Sequence, residues 1–455
     1  MITELSFRNF KVWKQVEAMR FAPITGVFGS NSSGKTSILQ LLLLLKQTVE
    51  SSDRLQVLNF GDERSAANLG SFRDVIFKHD TATPLKWKVQ WRLPSTMGIV
   101  DPDSKKTALF SGADLRFEAE VAENGSGRLA VKGMHYGFAG CDFSMMRKDG
   151  AKEAYALAVQ PEDRFRFVRK TGRPWDLPTP VKCYGFPNEV NAYYQNAGFL
   201  ADLQLQFERL FSELKYLGPL REYPKRQYTW AGSEPVDMGQ RGERVIEAIL
   251  AARERGKTIS RGRGHLRQTV EQRVAEWLKK LQLIHSFSVE AVAPGSNIYR
   301  VKVQQTQSSA PVLITDVGFG VSQILPAIAL CYYAPEGSTL VMEQPEIHLH
   351  PSVQSGLADV FVDAVKNRDI QIVFESHSEH LLRRLQLRIA EERLAPEDTA
   401  LYFCEPSENG SGLTPLQVDL FGNIANWPKD FFGDEFGEMA AMSRAALSRQ
   451  KKTCG

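Results

Sequence analysis

Residues 29–36 read Gly29-Ser30-Asn31-Ser32-Ser33-Gly34-Lys35-Thr36 and satisfy the pattern G-x-x-x-x-G-K-[ST]. These residue types suit one task, which is holding phosphate. Glycines at both ends let backbone N–H groups turn toward phosphate oxygens, and a helix starting here adds partial positive charge. Lys35 is expected to reach the β- and γ-phosphates, and the Thr36 hydroxyl to ligate Mg²⁺. Asn31, Ser32, Ser33 and Ser37 complete the loop and the first helical turn. A chance Gly/Ser turn would match the letters alone, but here the context matches as well. Ile24-Thr25-Gly26-Val27-Phe28 predicts a short buried strand, and residues 37–47, with leucine at every position from 41 to 45, predict a buried helix.

A second set of chemistry-bearing residues lies near the other end of the chain. Ser338-Thr339-Leu340-Val341-Met342-Glu343-Gln344-Pro345-Glu346 reads as an apolar strand ending in carboxylates. A phosphate loop finds its Mg²⁺-side acid, and often its water-activating base, at the end of such a strand. A plain buried strand with a charged end looks the same, so the pairing with the loop carries the reading. His348, His350, His377 and His380 invite a zinc site, but no cysteine accompanies them and the spacing is wrong for one.

The elements that must position these groups follow from composition and periodicity. The 455 residues are 43% hydrophobic and 24% charged, which is ordinary for a globular chain of two or three domains. A net charge of +3 does not by itself announce nucleic acid. Cys141, Cys183, Cys331, Cys404 and Cys454 lack metal or redox spacing and suggest reduced thiols in a cytoplasmic setting. The start of the chain alternates like a strand rather than a signal peptide, and no stretch is long and apolar enough to span a membrane.

Five regions are expected. Residues 1–80 hold the phosphate loop. Residues 81–180 form a β-rich insert, marked by period-two runs at 87–91, 115–119 and 165–168. Residues 181–285 form a helical insert with helix spacing at 199–214 and 269–283. Residues 286–405 return to alternating strands and helices, and residues 406–455 form a small C-terminal domain. The segment 253–267 carries Arg253, Arg255, Lys257, Arg261, Arg263 and Arg267 against Glu254. It could clamp nucleic-acid phosphates or be a solvated loop; without interleaved aromatics, any binding would ignore base sequence.

Residues 29–36, Glu343-Gln344-Pro345-Glu346-Ile347-His348-Leu349-His350-Pro351 and Glu375-Ser376-His377-Ser378-Glu379-His380 together resemble the ABC-class AAA ATPases related to overcoming-lysogenization-defect proteins. Gly422-Asn423-Ile424-Ala425-Asn426-Trp427-Pro428-Lys429-Asp430-Phe431-Phe432 is similar to a small C-terminal domain of unknown function in one subfamily, and Asn68-Leu69-Gly70-Ser71-Phe72-Arg73-Asp74 to a segment after its first helix. The resemblance implies an α/β P-loop NTPase of the ABC-type ATPase head class, with ATP and Mg²⁺ as cofactors. It implies that His377 contacts the γ-phosphate. It implies that the helix start containing Gly318, Gly320, Ser322 and Gln323 caps the ATP of a partner protomer, with His350 and Pro351 facing that partner. Asp316 or Ser322 could instead be an ordinary helix N-cap.

One departure bears on rate. The wider class ends its strand Asp-Glu-Pro, whereas this chain has Glu343-Gln344-Pro345. Glu343 then takes the Mg²⁺ position, and Gln344 takes the base position with an amide that accepts no proton. Either Glu343 or Glu346 substitutes, or hydrolysis is slow and the protein dwells in its ATP state.

Three roles compete: a bacterial anti-phage defence ATPase controlling a separate effector, a DNA-repair or chromosome ATPase on duplex DNA, and a complete nuclease. About 50 residues follow Phe403, few for a nuclease domain, and no heptad arm is visible. The expectation, which the family resemblance mainly supports, is the first role, acting as a homodimer or higher homo-oligomer, with no membrane partner.

Overall fold

The computed structural model describes all residues except 101–107, 125–126, 149–153, 173–174, 263, 409, 429–430, 432–438, 447–448 and 450–455. Arg263, Lys429, Asp430, Phe432 and Cys454, named above, lie outside the described residues.

Among the described residues, two large sheets organise the molecule, beside a smaller four-stranded and a two-stranded one. The central sheet runs in the order Gly410–Pro415, Thr399–Ser407, Ile24–Gly29, Gln371–Glu375, Thr339–Glu343, Leu214–Leu217. Its strands are parallel apart from Gly410–Pro415, which pairs antiparallel at one edge. Both faces are covered, so the strands are continuously apolar rather than alternating. Val27, Val341 and Val373 point into one core. Phe28, Leu340, Met342, Ile372 and Phe374 point into the other.

The second sheet is antiparallel, in the order Trp13–Arg20, Ile2–Phe10, Leu85–Val100, Ala108–Glu123, Leu129–Phe138, Cys141–Arg147, Tyr155–Gln160. The two strands that open the chain therefore belong to the same sheet as the strands of the expected insert. Helices Lys35–Glu50 and Leu200–Ser212 lie in the core between the sheets. Leu41, Leu42, Leu43, Leu44 and Leu45 are all buried, because that helix has a sheet on each side. Phe207 anchors the neighbouring helix among Trp91, Phe117 and Tyr136, with ring centroids 4.5–6.5 Å apart. Helices Val245–Glu254, Val270–Lys280, Gly320–Tyr333, Pro351–Arg368 and Glu379–Ala390 cover the other face of the central sheet.

Three local expectations are corrected. Residues 165–168 form no strand: Phe165 and Phe167 pack as rings on Phe143 without ladder hydrogen bonds. The region expected to be helical contains the edge strand Leu214–Leu217, which follows directly on helix Leu200–Ser212. Neither Asp316 nor Ser322 caps helix Gly320–Tyr333; its N-cap is Phe319, with no side-chain bond. Asp316 pairs with Arg226 at 3.0 Å, and the Ser322 hydroxyl donates to Phe319 O at 2.8 Å.

At the C-terminal end, Phe431 packs against Phe28, Phe403 and Trp427. Trp427 also lies under the Arg383 guanidinium, 4.6 Å from its ring centroid. Cys141, Cys183, Cys331 and Cys404 are buried free thiols. Among the described residues, no helix is long and apolar enough to cross a membrane.

Candidate nucleotide site

The strand Ile24–Gly29 delivers the chain to the C-terminal edge of the parallel sheet, and helix Lys35–Glu50 leads away from it. The turn between them needs its glycines. Gly34 is the helix N-cap at φ 91°, and a Cβ there would meet Val12 Cγ2 at 2.6 Å. A Cβ on Gly29 would sit 2.1 Å from the Cys404 carbonyl oxygen. No side chain caps the helix, so its N-terminus is left for an anion. Trp13 Nε1 donates to Gly34 O at 3.0 Å and ties the first hairpin to the loop.

Within the loop, Asn31 and Ser32 are exposed, Ser32 at φ 59°. Ser33 donates to Ser30 O at 2.8 Å, and Ser37 N–H donates to Gly34 O at 3.1 Å. The Lys35 ammonium is buried and donates to Gly29 O and Ser30 O at 3.1 and 2.7 Å. Burial pushes its pKa down, opposed by the charge of Glu375. The loop and its lysine thus fit a polyphosphate: the ammonium is held at the mouth by exchangeable carbonyl contacts.

The acids come from neighbouring strands. Glu343 and Glu375 end parallel strands in register, so both reach the same edge. Thr36 Oγ1 donates to Glu375 Oε2 at 2.7 Å, which adds Glu375 to the expected Mg²⁺-side pair of Thr36 and Glu343. Glu343 accepts from the Tyr216 hydroxyl at 2.9 Å. Glu346 Oε1 accepts from Ser376 Oγ at 2.8 Å and from His377 N–H at 2.9 Å, while its Oε2 has no partner among the described residues. Gln344 takes φ 41° and donates its N–H to Glu375 O at 3.0 Å. The His377 ring is exposed, and desolvation followed by the charge of Lys35 holds it below its ordinary pKa.

Burial pushes all three carboxyls upward. Glu343 rises to about 7, first from desolvation and then from repulsion by Glu375. Glu346 and Glu375 rise for the same leading reason. A divalent cation would reverse this by stabilising the charged forms. Thr36, Glu375 and Glu343 supply the hard oxygen donors that Mg²⁺ prefers.

The metal-free chain should therefore lose stability as pH rises from about 4.5 to about 7, because the folded state binds more protons than the unfolded state in that window. Glu343→Gln should reduce this slope, at most by ~1.4 kcal/mol per pH unit. Urea melts across the window measure it, and an identical slope in wild type and variant would contradict the assignment.

The candidate signature residues sit at another helix start, where Gly318 is exposed, Gly320 is half-buried, and Ser322 and Gln323 are buried. Phe319 stacks against Tyr223 and His348 at centroid distances of 5.6 and 5.8 Å, placing this helix start beside the loop of His348 and His350. His350 N-caps helix Pro351–Arg368. A Cβ on Gly318 would meet nothing within 4 Å, and one on Gly320 would meet only Leu283 at 3.9 Å. Gln323 is buried, and its Nε2 has no partner among the described residues. His348, His350, His377 and His380 form no metal-binding group; among the described residues no cluster of three metal-ligating side chains occurs.

The basic segment is less available than its sequence suggested. Arg261 pairs with Glu276 at 2.7 Å, and Arg253 and Arg255 pair with Glu271 and Glu234. Arg267 donates to the hydroxyl and carbonyl of Thr258 at 2.9 and 2.7 Å. The compensating acids lie outside the segment, so counting charges within it overstated its free charge.

Residues 197–383 match a family model described as "AAA domain, putative AbiEii toxin, Type IV TA system", and residues 394–442 match "Protein of unknown function (DUF3696)". The first span begins beyond the P-loop and contains Glu343, Glu346, Glu375 and His377. The chain has an ABC-type P-loop NTPase fold. No curated protein matches its sequence.

Among solved structures, one similar chain is an SMC head bound to the C-winged helix domain of ScpA, with 11% identity, TM-score 0.45, and coverage of 92% of this chain and 98% of that one. Another is the SMC head domain from Thermotoga maritima, with 10% identity, TM-score 0.41, and coverage of 92% and 99%. A third is the Smc head with an extended coiled coil bound to the C-terminal domain of ScpA, derived from Pyrococcus furiosus, with 10% identity, TM-score 0.44, and coverage of 92% and 96%.

Sequence reading missed Glu375, Tyr216 and Arg221. Glu375 had a signal, since it ends an apolar strand just before His377. Tyr216 and Arg221 had none, because their importance depends on the edge strand that sequence periodicity merged into a helix.

Proposed function

We propose that this chain binds Mg-ATP, hydrolyses it slowly, and uses the ATP state to pair with a second copy and regulate a separate effector in a bacterial anti-phage defence system. The observation that carries the nucleotide reading is the convergence of Lys35 and Thr36 with the buried carboxylates Glu343, Glu346 and Glu375 at one sheet edge. In this reading the loop residues Gly29, Asn31, Ser32, Ser33, Gly34, Lys35, Thr36 and Ser37 hold the phosphates. Mg²⁺, when bound, neutralises charge that develops on the transferred phosphoryl group. Glu346 accepts the proton of the attacking water through its free oxygen, while Ser376 and the His377 N–H fix the other oxygen. Gln344 can orient that water but cannot deprotonate it, and His377 faces the terminal phosphate.

The uncapped helix start with Gly318, Gly320 and Ser322 supports pairing. Neither glycine is demanded by close packing or positive φ within the chain, so its bare backbone suits approach by a partner's phosphates. Support for a defence role is the family description that names a toxin–antitoxin system. The duplex-DNA reading receives little support from a loop whose described cations are already engaged.

Mixing tests the pairing. Lys35→Ala and Ser322→Arg chains should each be inactive alone, and their mixture should regain hydrolysis through one intact composite site per dimer. Absence of any gain over the single variants would place both half-sites in one chain.

A further inference from the structure

Arg221 lies four residues beyond the edge strand Leu214–Leu217, on the side where the Ile24–Gly29, Thr339–Glu343 and Gln371–Glu375 strands also end. Open parallel sheets bind ligands at that edge. Its side chain is 6% exposed, yet Nε, Nη1 and Nη2 all lack a hydrogen-bond partner among the described residues. It forms no ion pair there either. Tyr216, Glu346 and Glu343 act on it electrostatically, and burial brings its pKa down to about 10.

A buried guanidinium with every donor open is costly, and arginine is rarely buried unless paired. By contrast, the other deeply buried arginines are engaged: Arg368 donates to two backbone carbonyls, and Arg273 pairs with Glu276 and Asp363. The open fork therefore points to a ligand. It is planar and suits the oxygens of a phosphate. Three buried carboxylates would repel such a group, and the cations acting on them include Lys35 and Arg221, with Lys11 acting on Glu343 as well. Lys35 acts on Glu375 and Glu346, and Arg221 on Glu343 and Glu346. Glu346, whose Oε2 is itself without a partner among the described residues, is one of the acids that act on Arg221.

We propose that Arg221 binds the terminal phosphate of a nucleoside triphosphate held by the P-loop of the same chain, and thereby makes the site prefer triphosphate over diphosphate. The inference rests on the nucleotide reading above and adds a residue that discriminates between nucleotide states.

The test is calorimetry of the full chain with Mg–adenylyl imidodiphosphate and with Mg-ADP, for wild type, Arg221→Met and Arg221→Lys. Arg221→Met should weaken triphosphate binding by about 10- to 100-fold, the value of one charge-assisted hydrogen bond. It should change ADP affinity by less than about twofold, and leave the nucleotide-free melting temperature equal or higher, because an uncompensated buried charge is removed. Arg221→Lys should recover part of the preference, and should alone decide the matter if Arg221→Met does not fold. Equal losses for both nucleotides with a lower melting temperature would make Arg221 a support of the fold and overturn the proposal. An unchanged preference in either variant would overturn it too. Wild type that binds neither nucleotide would instead overturn the nucleotide reading itself.

Discussion

In the Lys35→Ala chain, calorimetry should detect no Mg-ATP binding at concentrations that saturate the wild type. The ammonium is the P-loop's own cation, and it is stored close to where it would act, bonded to Gly29 O and Ser30 O at 3.1 and 2.7 Å. Those carbonyls can turn to solvent when phosphate oxygens take their place, so binding costs little rearrangement. Each charge-assisted bond to phosphate contributes about 1.5–3 kcal/mol, so losing two or three of them weakens binding by more than about a hundredfold. Alanine also leaves Glu375 without the positive charge that favours its ionised form, so the polyphosphate would meet an acidic corner with less compensation. The nucleotide-free fold should survive, since the apolar face of the helix Lys35–Glu50 is untouched. Unchanged Mg-ATP affinity in a folded variant would remove the basis for the nucleotide site.

What could be read from sequence was what is local. Gly29, Gly34, Lys35 and Thr36 sit within one turn, and strand and helix signals flank them. The strands ending at Glu343 and Glu375 were visible as apolar runs because a parallel sheet covered on both faces leaves no polar alternation. What could not be read was pairing across distance. Thr36 meets Glu375 across 339 positions, and Tyr216 meets Glu343 across 127. The strands Ile2–Phe10 and Leu85–Val100 pair although the phosphate loop and its helix intervene. Residues 165–168 alternate as a strand would, but Phe165 and Phe167 are used as ring contacts. The charge of the basic segment was misjudged because Glu234, Glu271 and Glu276 reach it from elsewhere. Arg221 shows the limit most clearly. Its residue type carries no signal, and only burial without a partner marks it.

Glu346→Gln should lower kcat by about 10²- to 10⁴-fold, the usual contribution of a positioned general base, while leaving Mg-ATP affinity near that of the wild type. Glu343 and Glu375 each have one oxygen held by a single hydroxyl, from Tyr216 and Thr36. Glu346 has one oxygen fixed by Ser376 and the His377 N–H, and the other buried and open. Such an arrangement holds a carboxylate in one orientation and still leaves a lone pair for a proton. Burial also raises its pKa, which strengthens it as a base and moves the acidic limb of the rate profile upward. The sign follows from the role: the rate should rise with pH as Glu346 loses its proton, and the glutamine variant should lose that limb. Gln344→Glu is the companion measurement. If the Gln344 side chain faces the attacking water, a second carboxylate there should raise kcat and restore turnover to the Glu346→Gln chain. Wild-type kcat in Glu346→Gln, with an unchanged pH profile, would show that hydrolysis proceeds without this base. It would leave positioning by Gln344 and phosphate charge compensation to account for the rate.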